Sequence, residues 1–129
     1  MPKAKPLISI IDDDEPMREA IKGLMRSVGY RVEAAASAQE FLNSRHVGRT
    51  SCLIADMQMP GMTGLELYQR LSTSGKPIPT VLITAYPDNG VRERALAAGV
   101  IGYLSKPFEE DDLLACIRSA LTHDRGGGR

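Results

Sequence analysis

The sequence has no excess of charge of either sign. Over 129 residues Lys plus Arg number 16, Asp plus Glu number 16, and the formal net charge is +0. A nucleic-acid binder held to phosphate by a basic surface is therefore disfavoured. Cysteine is scarce as well. Cys52 lies in an apolar run and Cys116 in a helical pattern, and neither has a CxxC partner or a nearby histidine at zinc-ligand spacing. Both read as small hydrophobes, not as parts of a disulfide or zinc framework. His46 and His123 stand alone in polar surroundings and read as surface residues. Long hydrophobic runs are missing: nothing approaches the ~20 apolar residues of a membrane span. MPKAKP is followed by no apolar stretch long enough for a signal peptide. The expected location is the cytoplasm, with no membrane partner.

What remains is ordinary globular material, 43% hydrophobic and 25% charged. The length suits one domain, large enough to bury a core without disulfides or structural metals. Residues 1–6 read as a flexible N-terminus and 7–122 as the domain. Residues 123–129, with Gly126, Gly127 and Gly128, read as a flexible tail or the start of a linker.

Five short apolar runs recur: Leu7–Ile11, Arg31–Ala35, Cys52–Ala55, Thr80–Ile83 and Val100–Leu104. Several are β-branched and continuous, the pattern of strands buried on both faces. Segments of helical period lie between them. Met17, Ile21, Leu24, Met25 and Val28 form one apolar stripe, with Gly29 placed to end that helix. Leu113, Leu114, Ile117 and Leu121 form another near the end. Ser37 with Glu40, and Thr63 with Glu66, fit the capping box. Asp14 and Asp88 are candidate caps, Pro16 falls in a first turn, and acids from Glu109 to Asp112 suit the start of the last helix. Strand and helix alternate five times, which implies an α/β fold with a parallel sheet, right-handed crossovers and helices on both faces.

Ligands of open α/β sheets bind beyond the C-terminal ends of the strands. The first strand ends in Asp12, Asp13, Asp14 and Glu15, the third in Asp56, the fourth in Thr84, and the fifth in Ser105, Lys106 and Pro107. The second ends in Ala35 and Ala36 and offers nothing. Taken singly, each polar residue has a plainer explanation: a solvated loop, a strand end, a surface lysine. Those explanations leave unexplained why four strands deliver carboxylates, a hydroxyl and an ammonium to one edge. Carboxylates crowded there repel unless a cation joins them. Mg²⁺, which takes oxygen ligands from carboxylates and phosphate, is the natural one. A carboxylate can attack phosphorus to give an acyl phosphate, after which positioning and charge neutralisation matter most. Lys106 suits phosphate as a point charge and Thr84 as a hydroxyl donor.

The segments IIDDDEPMR, ADMQMPGMTG, LITA and GYLSKPF, in that order, resemble the motifs of the response-regulator receiver family of two-component systems. The likeness runs from about Leu7 to Thr122, and D-x-x-M-P-x-x-x-G with K-P-F carries most of it. The run DDDEP is more similar to FixJ-like transcriptional regulators than to chemotaxis receivers. The resemblance implies a flavodoxin-like, doubly wound sheet of five parallel strands in the order 2-1-3-4-5. It implies Asp56 as phosphoacceptor, with Asp12, Asp13, Asp56 and the backbone carbonyl of Gln58 holding Mg²⁺. The Gln58 side chain is free to differ. Thr84, Ala85 and Lys106 match the phosphate contacts, Thr84 and Tyr103 the switch pair, and Lys106–Pro107 a cis peptide.

Two departures stand out. Thr63 occupies a place more often held by Asp or Ser, and serves as a cap equally well. Tyr86 is bulky where it would limit access of water or a phosphatase. The implied activity is a phosphorylation switch, not a turnover enzyme. It is charged by a sensor histidine kinase or phosphotransfer protein and read through the fourth helix, fifth strand and fifth helix. A phosphorylation-dependent homodimer is among the expected partners, and direct nucleic-acid binding is not. Two rivals are a haloacid-dehalogenase-type phosphatase built on Asp12 and Asp14, and a pseudo-receiver that binds without taking phosphate.

Overall fold

The computed structural model describes the backbone of residues 5–127 and side chains as far as Thr122. Strand β1 (Leu7–Ile11) leads into α1 (Glu15–Ser27), β2 (Arg31–Ala35) and α2 (Ala38–Leu42). A 3₁₀ turn, Val47–Arg49, precedes β3 (Cys52–Asp56) and α3 (Gly64–Thr73). Then come β4 (Thr80–Thr84), α4 (Asn89–Ala98), β5 (Gly102–Ser105) and α5 (Glu110–Gly127). All pairings are parallel and the order is β2-β1-β3-β4-β5, the doubly wound arrangement.

Burial explains the patterning. Every residue of β1, β3 and β4 is buried, because helices cover both faces, so these strands are continuous apolar runs. Alternate residues face two cores. Ile11, Leu53, Ala55 and Leu82 pack with Phe41, Leu67, Leu71 and Ala95 of α2, α3 and α4. Ile8, Ile10, Ile54 and Ile83 pack with Ile21, Met25, Leu113 and Ile117 of α1 and α5. Edge strand β2 instead exposes Arg31 and Glu33 and turns Ala35 inward; charges on an edge discourage pairing with another chain.

Three boundaries differ from the expectation. The fifth strand begins at Gly102, not Val100. Gly99 ends α4 at φ 115°, a left-handed conformation, and the Val100 N–H turns back to the Ala95 carbonyl. Val28, the last member of the first stripe, falls just past α1 and is 46% exposed. Helix α5 continues through 123–127, part of the expected tail. Its acidic first turn and buried Leu113, Ile117 and Ala120 establish the helix, after which each added residue needs only one further hydrogen bond. The rest of the expected termini, residues 1–4 and 128–129, and the surroundings of His123 lie outside the described residues. His46 is half-buried, its Nε2 3.6 Å from Glu33 Oε1.

The caps are specific. Thr63 and Glu66 form the complete reciprocal box, at 3.1 and 2.9 Å. Ser37 accepts from the Glu40 N–H, while the Glu40 carboxylate reaches one residue further back, to the Ala36 N–H. Asp88 caps α4 by accepting from Val91. Asp14 occupies the cap position of α1 but makes no side-chain cap bond.

Candidate functional site

The C-terminal ends of β1, β3, β4 and β5 meet at one edge. Asp12 continues the ladder of β1, its N–H donating to the Ala35 carbonyl. Asp56 is the last residue of β3 and Thr84 the last of β4. The Lys106 N–H donates to the Thr84 carbonyl at 2.7 Å, which brings the loop after β5 to the same place, and the Lys106–Pro107 peptide is cis. The crevice thus opens beside β1 and β3, where the strand order reverses.

Its centre is an ammonium between two buried carboxylates. Lys106 Nζ lies 3.2 Å from Asp12 Oδ2 and 3.2 Å from Asp56 Oδ2. The other oxygen of each acid accepts from backbone: Asp12 Oδ1 from the Asp14 N–H at 2.9 Å, Asp56 Oδ1 from the Gln58 N–H at 3.0 Å. Burial, aided by the Asp56 charge, pushes the Asp12 carboxyl above its ordinary value, against the pull of the Asp14 N–H and Lys106. For Lys106, burial works toward a lower value, but the hydrogen bond to Asp56 and the charges of Asp12 and Asp56 prevail and raise it.

Asp13 is exposed, yet one oxygen each from Asp12, Asp13 and Asp56 lie within 4.8 Å of one another. Three carboxylates face one ammonium, so the set carries a net deficit of two positive charges when all are ionised. Hard carboxylate oxygens with that deficit fit a divalent cation such as Mg²⁺. Asp14 is exposed and not part of this group. The phosphatase alternative, which needed Asp12 and Asp14 as its pair, is therefore not favoured.

Thr84 is fully buried, and its hydroxyl is engaged twice. It accepts from the Tyr86 N–H at 3.0 Å and donates to Gln58 Oε1 at 2.8 Å. The Ala85 N–H donates to the same Gln58 oxygen at 3.3 Å. Tyr86 gives its backbone N–H to Thr84, and the residue is 74% exposed. Tyr103 is half-buried, its hydroxyl 3.4 Å from the Asp88 N–H at the start of α4.

Gly64 lets α3 pack against the end of β3. A Cβ there would stand 2.7 Å from the Asp56 carbonyl oxygen and 2.9 Å from Leu82 Cδ2. Only glycine allows the first turn of α3 to approach the end of β3 so closely.

Sequence reasoning missed two contributors. Arg18 Nη1 donates to the Asp12 carbonyl at 2.8 Å. The available signal was its place in the first turn of α1, since helical side chains slope toward the N-terminus and reach back over the strand end. The Gln58 side chain, expected to be free to differ, accepts from the Thr84 hydroxyl that ends β4 and from the Ala85 N–H just after it; nothing in the residue type announced this.

Comparison with known proteins gives one consistent answer. The family profile described as "Response regulator receiver domain" matches residues 8–118. The response regulator protein TmoT of Ectopseudomonas mendocina is 42% identical over 115 residues, covering 89% of this chain and 52% of that protein. The solved structure of response regulator StyR superposes with a TM-score of 0.87 at 42% identity, covering 95% of this chain and 62% of that one. The crystal structure of FixJ-N superposes at 0.84 with 30% identity, covering 94% and 97%. The chain spans about half the length of the curated relatives it matches.

Proposed function

Since the chain belongs to the response-regulator receiver family, the phospho-accepting modules of two-component systems, we propose that Asp56 is its phosphoacceptor and Asp12, Asp13, Thr84, Ala85 and Lys106 serve the transfer. One observation carries this reading: Asp56 ends β3 sharing the Lys106 ammonium with Asp12, and Asp13 lies within reach.

In this mechanism an Asp56 oxygen attacks the phosphorus of a phosphohistidine on a sensor kinase or phosphotransfer protein. The P–O bond forms as the P–N bond breaks, and the imidazole leaves. The Asp12, Asp13 and Asp56 carboxylates and the Gln58 carbonyl would hold Mg²⁺, which when bound offsets charge on the transferred group. Lys106 is shared between two acids, so it can follow the charge toward phosphoryl oxygen without crossing the site. The Thr84 hydroxyl and the Ala85 N–H donate to the remaining oxygens. Thr84 is then drawn toward the acyl phosphate, and Tyr103 follows into the space beside it. The switch is a two-state element biased by a new charged acceptor.

The output face is α4, β5 and α5, where Arg92, Arg94, Arg118, Asp111 and Asp112 are exposed. It serves a phosphorylation-dependent homodimer or a downstream partner. The setting is the cytoplasm; no helix among the described residues is long and apolar enough to cross a membrane. The domain is charged and discharged as a switch, without turnover of a separate substrate. Acetyl phosphate with Mg²⁺ tests the assignment by intact mass. Wild type should gain one phosphoryl group and Asp56→Asn none; equal uptake by both would overturn it.

A further inference from the structure

We propose that the Gln58 side chain is a latch on the phosphate-binding donors: its Oε1 holds the Thr84 hydroxyl and the Ala85 N–H in the resting state and must leave before phosphoryl oxygen can use them. This rests on the reading of Asp56, Thr84 and Ala85 given above.

The identity of the atom follows from chemistry. The Ala85 N–H can only donate, so the amide atom facing it at 3.3 Å is the oxygen, not the NH₂. The Thr84 hydroxyl already accepts from the Tyr86 N–H and spends its single proton on the same oxygen, at 2.8 Å. One neutral oxygen thus satisfies a buried hydroxyl and a backbone amide, the pair that a phosphoryl group on Asp56 requires. Gln58 Oε1 therefore stands in for a phosphoryl oxygen.

The latch is attached at the correct place. The Gln58 backbone N–H holds Asp56 Oδ1 at 3.0 Å, so one residue grips the acceptor carboxylate with its main chain and covers the phosphate donors with its side chain. Release is easy. Gln58 is exposed while Thr84 is fully buried, so the amide can swing into water with Thr84 in place. A neutral acceptor loses to a charged one, because charge-assisted hydrogen bonds are roughly twice as strong. A charged phosphoryl oxygen therefore displaces the latch more readily than a water does. It keeps Thr84 oriented toward the crevice and places a threshold on filling it.

Beryllofluoride with saturating Mg²⁺ is the probe, with affinity read by calorimetry. Gln58→Ala removes the competitor and should bind about three- to tenfold more tightly, the value of one ordinary net hydrogen bond. Gln58→Glu puts a charged acceptor on the same donors and should bind at least about tenfold more weakly. Mg²⁺ affinity is measured separately for each variant, so that any change in metal binding is divided out of the beryllofluoride comparison. Wild type gives an independent test: nuclear magnetic resonance of the Gln58 side-chain amide should show an ordered group that becomes conformationally averaged when beryllofluoride binds. Unchanged or weaker binding by Gln58→Ala would overturn the latch, as would a Gln58 amide indifferent to beryllofluoride. If wild type itself binds no beryllofluoride, the phosphoryl site has failed and the latch fails with it.

Discussion

The carbonyl oxygen of Asp56 lies 2.7 Å from where a Cβ on Gly64 would stand. The two residues belong to different elements, the end of β3 and the first turn of α3, and both neighbouring atoms are held by backbone or core. Alanine at 64 must push the strand end or Leu82 aside. Gly64→Ala should therefore cost about 1–3 kcal/mol, read as a lowered midpoint in urea with an unchanged slope. A midpoint equal to wild type would mean that the strand end is softer than the packing indicates.

The raised Asp12 carboxyl gives a pH dependence of definite sign. Its folded value lies above the ordinary 3.8. Between those two values the folded state binds the proton more readily than the unfolded state, so stability falls as pH rises through the window. Above the window the penalty for the buried charge is complete. Asp12→Asn, melted without divalent cations, should exceed wild type by a few degrees near neutral pH. The advantage should shrink as the pH is brought down to about 4. An advantage that instead grows in acid would contradict the sign.

Millimolar Mg²⁺ should raise the melting temperature of wild type, since a ligand that binds only the folded chain shifts the unfolding equilibrium. Asp13→Asn should lose most of that rise. Asp13 is exposed, so its substitution should change the metal-free stability by no more than ~0.5 kcal/mol, and the two effects separate cleanly. A wild type indifferent to Mg²⁺ would remove the metal from the scheme.

Beryllofluoride with Mg²⁺ should strengthen self-association through α4, β5 and α5, as measured by sedimentation. Exposed Arg92, Arg94 and Arg118 beside Asp111 and Asp112 can complement a twofold-related copy. Tyr103→Ala should blunt the change. A monomer at every concentration, with and without the mimic, would move the output to a different partner.

Much of this was legible in the sequence because the central strands are buried on both faces. Ile8 to Ile11 and Leu53 to Ala55 could be nothing but interior, and the polar residue ending each run marked the functional edge. The sequence was less informative where two readings share one residue type. Val100 and Ile101 are as apolar as any strand residue, yet a left-handed Gly99 turns the chain back before β5 begins. Glu40 and Glu66 occupy equivalent capping positions, but only Glu66 closes its box, because Glu40 finds the preceding N–H instead. At Gln58 the resemblance implied a backbone carbonyl toward Mg²⁺ and left the side chain open. The side-chain role depended on how close the β4 end comes across the sheet, which is tertiary information.

The ion-pair partners Lys106 and Asp12 stand 94 positions apart, on the loop after the last strand and the end of the first. A chain emerging from the ribosome exposes its acids early and gains the ammonium only when β5 has been made and docked against β4. Until then Asp12 and Asp56 lack the ammonium that they share in the folded chain. The acidic pocket is thus completed last in chain order: Asp12 and Asp56 share a counter-ion only in a chain that has laid down and docked its final strand.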